Sequence, residues 1–216
     1  MSKSIREILE GLSCTDLSDA MDRLAIPGQC FGIKPLDRSF HLVGRAWTLR
    51  YGTVGQDRGT VGDYIDDLGA EDVVVLDNQG RLDATVWGDL LTSVASRRRV
   101  AGTVIDGICR DVDRAMEVQY PIFSRGNWMR TGKDRVRVEA TQQPVSIGGV
   151  RIEPGDWVRG DGDGVVSIPA ARIEQVVAAA VEIHDAEEHI RAAIEGGADL
   201  RKARENYGYH QLQSRR

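Results

Sequence analysis

Two short stretches of the chain carry residue types that can do chemistry together: Trp87-Gly88-Asp89-Leu90-Leu91, and Asp106-Gly107-Ile108-Cys109-Arg110-Asp111. Asp89 and Asp111 supply hard carboxylate oxygens. A site with one or two such protein ligands and several retained waters suits Mg²⁺ or Mn²⁺. Arg110 is a planar, bidentate donor for a carboxylate or phosphate. If Asp89 opens a helix, the amides of Leu90 and Leu91 are unpaired in its first turn and offer a second anchor for the same anion. The composite reads as a metal site for an oxyanion substrate. A plainer reading uses the same residues, with Arg110 and Asp111 as a surface ion pair and helix cap and Asp89 as an N-cap. From spacing alone the plainer reading is the commoner.

The elements that must position these residues can be read from apolar periodicity. Val73 to Leu76 is a short β-branched run followed by Asp77-Asn78-Gln79-Gly80, which reads as a buried strand ending in a turn. Leu90 to Arg99 has helical spacing, and Val100 to Ile105 reads as the next strand, broken by Asp106-Gly107. That order predicts a right-handed βαβ unit. Its helix start and the end of its second strand fall where open α/β sheets place ligands. Val112 to Val118 suits a further helix before a short strand at Pro121 to Ser124.

Around this middle, Ile5 to Leu12 and Leu17 to Leu24 predict two short helices, the second capped by Thr15 or Asp16. Pro27 to Pro35 reads as loop, Leu42 to Tyr51 as strand, and the glycine-rich stretch Gly52 to Gly62 as a long loop. Short strands follow at Arg135 to Ala140, Pro144 to Ile147, Val150 to Ile152, Trp157 to Arg159 and Val165 to Ile168, with a hairpin turn at Gly148-Gly149. Ala170 to about Ile194 predicts one long helix, with a last helix in the polar remainder.

Length and charge bound the function. The 216 residues carry a net charge of −5, so bulk electrostatics disfavour nucleic acid or an anionic membrane as partner. The longest apolar run, Val176 to Val181, is six residues, far below the ~20 needed to cross a bilayer. The charged, amphipathic start MSKSIREILEGLS does not resemble a signal peptide, and a cytoplasmic protein is expected. Cys14, Cys30 and Cys109 are too few and scattered for a disulfide framework and are expected to be buried and structural.

Several other signals favour plain readings. Asp161-Gly162-Asp163-Gly164 lacks the later ligands of a calcium loop and reads as a turn between strands. His184 and His189, with Glu187 and Glu188, are expected on a solvated helix face. Asp63, Asp66 and Asp67 read as a capped short helix, with a second ligand patch as the sharper alternative. Arg97-Arg98-Arg99 complements a helix dipole, the four tryptophans are expected to pack, and Trp87 is placed to wall a pocket. Neither G-x-G-x-x-G nor a P-loop is present.

The chain resembles the RraA-like family, which includes class II pyruvate aldolases acting on 4-hydroxy-4-methyl-2-oxoglutarate and 4-carboxy-4-hydroxy-2-oxoadipate. The aldolases share an Asp, twenty intervening residues, then Arg-Asp; here Asp89 is followed by Leu90 to Cys109 and Arg110-Asp111. The resemblance extends through Ser18-Asp19-Ala20-Met21-Asp22, Val61-Gly62-Asp63, Asp106-Gly107, Pro121 to Gly126 and Gly160 to Val165. It implies that Asp111 coordinates Mg²⁺, that Asp89 holds water on that metal, that Arg110 binds the pyruvate portion, and that the Leu90 and Leu91 amides hold its carboxylate. It also implies an acidic residue from a neighbouring subunit, for which Glu187 or Glu188 is the nearest counterpart. The segment Gly55-Gln56-Asp57-Arg58-Gly59 differs from the common aldolase version and leaves the acceptor half of the substrate open.

These readings converge on one RraA-like domain over residues 1–216, with a helical tail from about 170. The expected fold is α/β, layered like a ββα swivelling domain, with a central mixed sheet and a long C-terminal helix, assembled as a homotrimer or hexamer. The expected activity is a divalent-metal-dependent lyase that releases pyruvate from a 2-oxo acid, by aldol cleavage and by decarboxylation of oxaloacetate. Its expected site comprises Asp89, Arg110 and Asp111 with Gly88, Leu90 and Leu91. A non-catalytic regulator of ribonuclease E and a same-scaffold enzyme for another hydroxy or oxo acid are the alternatives.

Overall fold

A computed structural model describes residues 3–55 and 60–209. In chain order the elements are α1 (Ile5–Gly11), α2 (Cys14–Arg23), β1 (Lys34–Pro35), β2 (Leu42–Thr53), β3 (Asp72–Thr85), α3 (Asp89–Arg98), β4 (Gly102–Ile108), α4 (Val112–Glu117), β5 (Ile122–Ser124), β6 (Val136–Thr141), β7 (Val145–Ile147), β8 (Val150–Ile152), β9 (Trp157–Asp161), β10 (Gly164–Ile168), α5 (Ile173–Glu195) and α6 (Leu200–Asn206). A 3₁₀ turn covers Asp63–Asp67. The chain divides into two compact units, one of residues 1–28 and 171–216, the other of residues 29–170.

The larger unit is built on a mixed sheet in the order β1-β5-β4-β3-β2-β9-β10, with β6 also pairing β2. Strands β2, β3, β4 and β5 run parallel, whereas β1, β6 and β9 join antiparallel and β10 pairs β9. The sheet nearly closes on itself, because the chain entering β1 lies along β10: Cys30 N–H donates to Val165 O at 3.0 Å. The parallel strands are buried on both faces, as β-branched runs of this kind require. Val74, Leu76, Ile105 and Ile122 face a core completed by Ala95 of α3 and Ala115 of α4. Their alternates Val73, Val75, Val104 and Phe123 face Val145, Ile147, Val150 and Ile152 of the β7–β8 hairpin. The expected βαβ unit and mixed α/β architecture are therefore the observed ones.

Two strand ends differ from expectation. β3 does not end at Asp77 but continues to Thr85, with register jumps after Asp77 and Arg81. Gln79 and Gly80 take left-handed backbone at φ 56° and 68°, so the Asp-Asn-Gln-Gly signal makes a bulge within the strand. β4 likewise runs through Asp106-Gly107 to Ile108. Its buried carboxylate is satisfied in the strand, where Asp106 pairs with Arg125 and accepts from Gly148 N at 2.8 Å. The Gly148-Gly149 hairpin turn is as expected, with φ 56° and 84° between β7 and β8, and Asp161 to Gly164 is a turn between antiparallel strands.

In the smaller unit, α2 packs its buried Leu17, Ala20 and Met21 with α5, whose apolar stripe includes Val176, Ala180 and Ile183. The α2 cap is Ser13 rather than Thr15 or Asp16. Ser13 Oγ accepts from Asp16 N at 3.0 Å while Asp16 returns a bond to Ser13 N at 2.9 Å, a capping box that starts the helix earlier. The histidines of α5 are expected on a solvated face; His189 is exposed there and stacks on Tyr207 at 5.5 Å between ring centroids, whereas His184 is half-buried with its Nδ1 3.2 Å from Asp16 Oδ2. Among the described residues no helix is long and apolar enough to cross a membrane.

Candidate active site

The end of β3, the start of α3 and the segment after β4 meet at an open cleft of about 480 Å³ in the larger unit. It is lined by Val86, Trp87, Gly88, Asp89, Leu90, Leu91 and Arg110, and by Thr131, Gly132 and Lys133, whose segment pairs with Thr85. Trp87 is held rigidly: it is buried, stacks on Tyr120 at 6.0 Å, and donates Nε1–H to Thr92 Oγ1 at 2.9 Å. The Trp87 carbonyl accepts from Arg110 N at 2.9 Å, which ties the two chemistry-bearing stretches together directly.

The plain cap reading holds in part: Asp111 occupies the N-cap of α4, but Asp89 is not the N-cap of α3, and neither side chain caps the helix its own residue begins. Gly88 occupies the N-cap of α3 without a side chain to offer, and Asp89 is the first helical residue. Asp111 precedes α4 in left-handed backbone, φ 54° and ψ 44°, and makes no side-chain cap bond. Aspartate tolerates that conformation better than most residues. The turn brings Asp111 back over α3, where its Oδ2 accepts from Asp89 N at 3.4 Å and lies 3.3 Å from Arg110 Nε. The ion pair of the plain reading is thus present, but each side chain is 40% exposed and such a pair adds only about 0–1 kcal/mol to stability.

Gly88 shows how closely these groups are packed. A Cβ at this position would lie 2.7 Å from Asp111 Oδ2 and 3.3 Å from Arg110 Nε. The absence of a side chain at residue 88 is what lets the carboxylate and the guanidinium approach the helix start. Asp89 Oδ1 accepts from Leu90 N at 2.8 Å, so the Leu90 amide is occupied by the neighbouring carboxylate in this arrangement. The Leu90 side chain is 77% exposed at the lip and Leu91 lines the interior.

The donor set can be tested against a divalent ion on this geometry. Asp89 lines the cleft and Asp111 lies beside it, its Oδ2 3.4 Å from Asp89 N; both carboxylates are exposed, and among the described residues no group of three or more His, Cys, Asp or Glu could form a protein cage. Two hard oxygens at an open lip fit Mg²⁺ or Mn²⁺, which retain waters, and do not fit a structural zinc site. Cys109, buried beside the site, is no nucleophile: burial pushes its thiol up to about 11, with partial relief from Ser124.

Other expected residues divide clearly. Asp63 and Asp66 of the 3₁₀ turn line the cleft, and Asp66 also pairs with Arg98 at 3.0 Å, so this turn is part of the cleft wall and has no side-chain cap. Glu187 and Glu188 lie on α5 of the smaller unit and are not among the cleft-lining residues. Residues 56–59 of the glycine-rich loop lie outside the described residues. Of the tryptophans, Trp47 stacks on Tyr64 and Trp157 packs under Arg45, but Trp128 is 41% exposed and is not a core residue. Sequence reasoning missed Thr131, Gly132 and Lys133, which reach the cleft only because residue 131 pairs with Thr85 across the fold. No local pattern announces that pairing.

In the larger unit a mixed α/β sheet thus brings a helix start, Arg110 and Asp89 to one open cleft, with the Asp111 carboxylate beside them. The chain belongs to the RraA-like family: the family model, described as Aldolase/RraA, matches residues 14–167. It is similar to protein DlpA of Legionella pneumophila, 42% identical over 200 residues, which is 91% of this chain and 32% of DlpA. The chain therefore spans about a third of that relative's length. It is 34% identical over 163 residues to a Halalkalibacterium halodurans protein named "Putative 4-hydroxy-4-methyl-2-oxoglutarate aldolase", covering 76% of this chain and 75% of the other. Among solved structures, a protein from Pseudomonas syringae pv. tomato superposes with TM-score 0.88 at 38% identity, covering 94% of this chain and 98% of that one.

Proposed function

We propose that the protein is a divalent-metal-dependent carbon–carbon lyase that releases pyruvate from a 2-oxo acid of the 4-hydroxy-4-methyl-2-oxoglutarate type and also decarboxylates oxaloacetate. The observation that carries this reading is the meeting of Asp89, Arg110 and Asp111 at the start of α3, made possible by Gly88. The name of the Halalkalibacterium relative supports it from a separate direction.

Charge dictates how these residues would act. Cleaving the C3–C4 bond of the substrate leaves its electron pair on C3, delocalised onto the C2 oxygen as an enolate. The C4 hydroxyl gives up its proton and becomes a ketone, and protonation of C3 completes the second product. For 4-hydroxy-4-methyl-2-oxoglutarate both products are pyruvate. Arg110 offers two N–H donors to the carboxylate and the developing enolate oxygen, an interaction that strengthens as the charge forms. The first turn of α3, at Leu90 and Leu91, orients the same carboxylate. Asp89, exposed at the lip, holds the water that takes the C4 proton and later returns one to C3. Asp111, with Asp89, would hold Mg²⁺ or Mn²⁺, which when bound supplies Lewis-acid stabilisation of the enolate. Trp87 walls one side against water.

Oxaloacetate decarboxylation passes through the same pyruvate enolate, with CO₂ as the leaving group. As a cytoplasmic enzyme of a small dianion, the protein would need neither membrane nor nucleic acid. A trimer or hexamer of the family's kind would let Glu187 or Glu188 of a neighbouring subunit approach the cleft.

The test is pyruvate release from both compounds with Mg²⁺ and with EDTA, in wild type, Arg110→Ala and Asp111→Asn. Asparagine retains the left-handed backbone and removes the charge. Metal-dependent release falling more than ~100-fold in both variants supports the proposal. Release that persists in Asp111→Asn, or is absent from wild type on both compounds, refutes it; the second result would favour the regulator or the different-substrate reading.

A further inference from the structure

We infer that Lys133 is the residue that selects a dicarboxylic 2-oxo acid over a monocarboxylic one, by holding the carboxylate at the end of the substrate away from Arg110. The inference deepens the proposed lyase function and rests on it for the placement of the 2-oxo-acid head at Arg110 and α3.

The cleft is lined by two cationic residues that come from different segments, Arg110 after β4 and Lys133 before β6. Arg110 is already beside Asp111, at 3.3 Å. Lys133 lines the side formed by Thr131 and Gly132, and among the described residues its ammonium has no acidic partner. A free cation in the wall of a cleft of about 480 Å³ favours an anion there. The acids that share the cleft sharpen the choice. Asp63 and Asp66 lie on the 3₁₀ turn, and Asp66 is engaged by Arg98 at 3.0 Å, so neither turns Lys133 into a neutralised pair. Both repel a substrate carboxylate near themselves, which leaves the Lys133 side as the favourable place for it.

The segment carrying Lys133 is fixed in position, as a specificity residue requires. Thr85 donates both N–H and Oγ–H to Arg130 O at 3.0 Å, binding the segment to the end of β3. A Cβ on Gly132 would stand 2.2 Å from Thr85 O, so only glycine permits this approach. Thr131 Oγ1 accepts from Lys133 N at 3.2 Å, Arg135 donates to the carbonyls of Thr131 and Lys133 at 3.2 Å each, and Gly132 O accepts from both Arg135 N and Val136 N at 2.9 Å. Seven bonds over six residues hold a backbone whose only exposed cationic arm lining the cleft is Lys133.

The test compares two five-carbon ligands that share the 2-oxo-acid head, 2-oxoglutarate and 2-oxopentanoate, by calorimetric titration of the full chain with Mg²⁺ present. Wild type should bind the diacid about tenfold more tightly, the value of one charge-assisted hydrogen bond. Lys133→Met should erase that preference and leave 2-oxopentanoate binding unchanged, Lys133→Arg should restore part of it, and Arg110→Ala should weaken both ligands alike. A diacid preference that survives Lys133→Met, or an equal loss for both ligands in that variant, overturns the inference. Loss of the preference in a protein that releases no pyruvate from 4-hydroxy-4-methyl-2-oxoglutarate would support Lys133 and refute the lyase. Binding of neither ligand by wild type would overturn both.

Discussion

Replacing Gly88 by alanine perturbs the site without touching a charged group. The Gly88 backbone, at φ −152° and ψ −167°, is extended and open to any residue, so the substitution introduces no backbone strain. Its cost is steric and local: the new methyl would sit 2.7 Å from Asp111 Oδ2, where van der Waals contact begins near ~3.5 Å. The carboxylate must therefore retreat by about 0.8 Å, and the Arg110 guanidinium, at 3.3 Å from the same methyl, moves with it. Both side chains are 40% exposed and free to swing outward, so stability should change by less than about 1 kcal/mol. Catalysis responds differently, since a displacement near 1 Å at reacting groups costs on the order of 100-fold.

The expected result is a fall of about 100-fold in kcat/KM for metal-dependent pyruvate release, with weaker Mn²⁺ binding by titration and an almost unchanged melting temperature. Gly11→Ala is the control, because its Cβ would meet nothing within 4 Å. If Gly88→Ala keeps the wild-type rate and Mn²⁺ affinity, the close approach of Asp111 to α3 is not what the chemistry uses, and the site assignment fails.

Two further substitutions probe each unit separately. Gly132→Ala forces a methyl to 2.2 Å from the Thr85 carbonyl, a backbone atom with no freedom to yield, and should cost roughly 3 kcal/mol in urea unfolding; an unchanged midpoint would show that the segment does not pack as described. In the smaller unit, burial raises the Glu187 pKa first, and the charges of Asp19 and Asp16 add to it, against lowering by Arg191 and His184. A carboxyl with a raised folded pKa favours the native state when protonated and opposes it as pH climbs through that pKa. Glu187→Gln should therefore raise the melting temperature at pH 7 to 8, with the gain vanishing below the ordinary glutamate value of 4.5. A gain independent of pH would rule out ionisation as its cause.

The parts of the fold legible in the sequence are those governed by short-range patterns. The runs Val73 to Leu76 and Val100 to Ile105 announced two buried parallel strands, and the glycine pair at 148–149 announced a hairpin, because period and turn chemistry act over a few residues. The Asp-Asn-Gln-Gly and Asp-Gly signals were misleading for the same reason. Each has the local chemistry of a turn, yet strand pairing continued through both once Asp106 found Arg125 and the hairpin amide of Gly148. Ser13 took the α2 cap because Asp16 could answer it from three residues on.

The same division runs through the candidate site. The sequence by itself determined that Asp89 and Arg110-Asp111 bracket one helix and one strand of a βαβ unit, since right-handed crossover leaves that arrangement little freedom. Only the tertiary structure decided that Gly88 admits the Asp111 carboxylate, that Asp63 and Asp66 line the cleft, and that Thr131, Gly132 and Lys133 line it too. Residues 131–133 are brought to the site by a pairing between positions 85 and 131, and a contact of that sequence separation is set by the packing of the whole sheet, which no local window of residues contains.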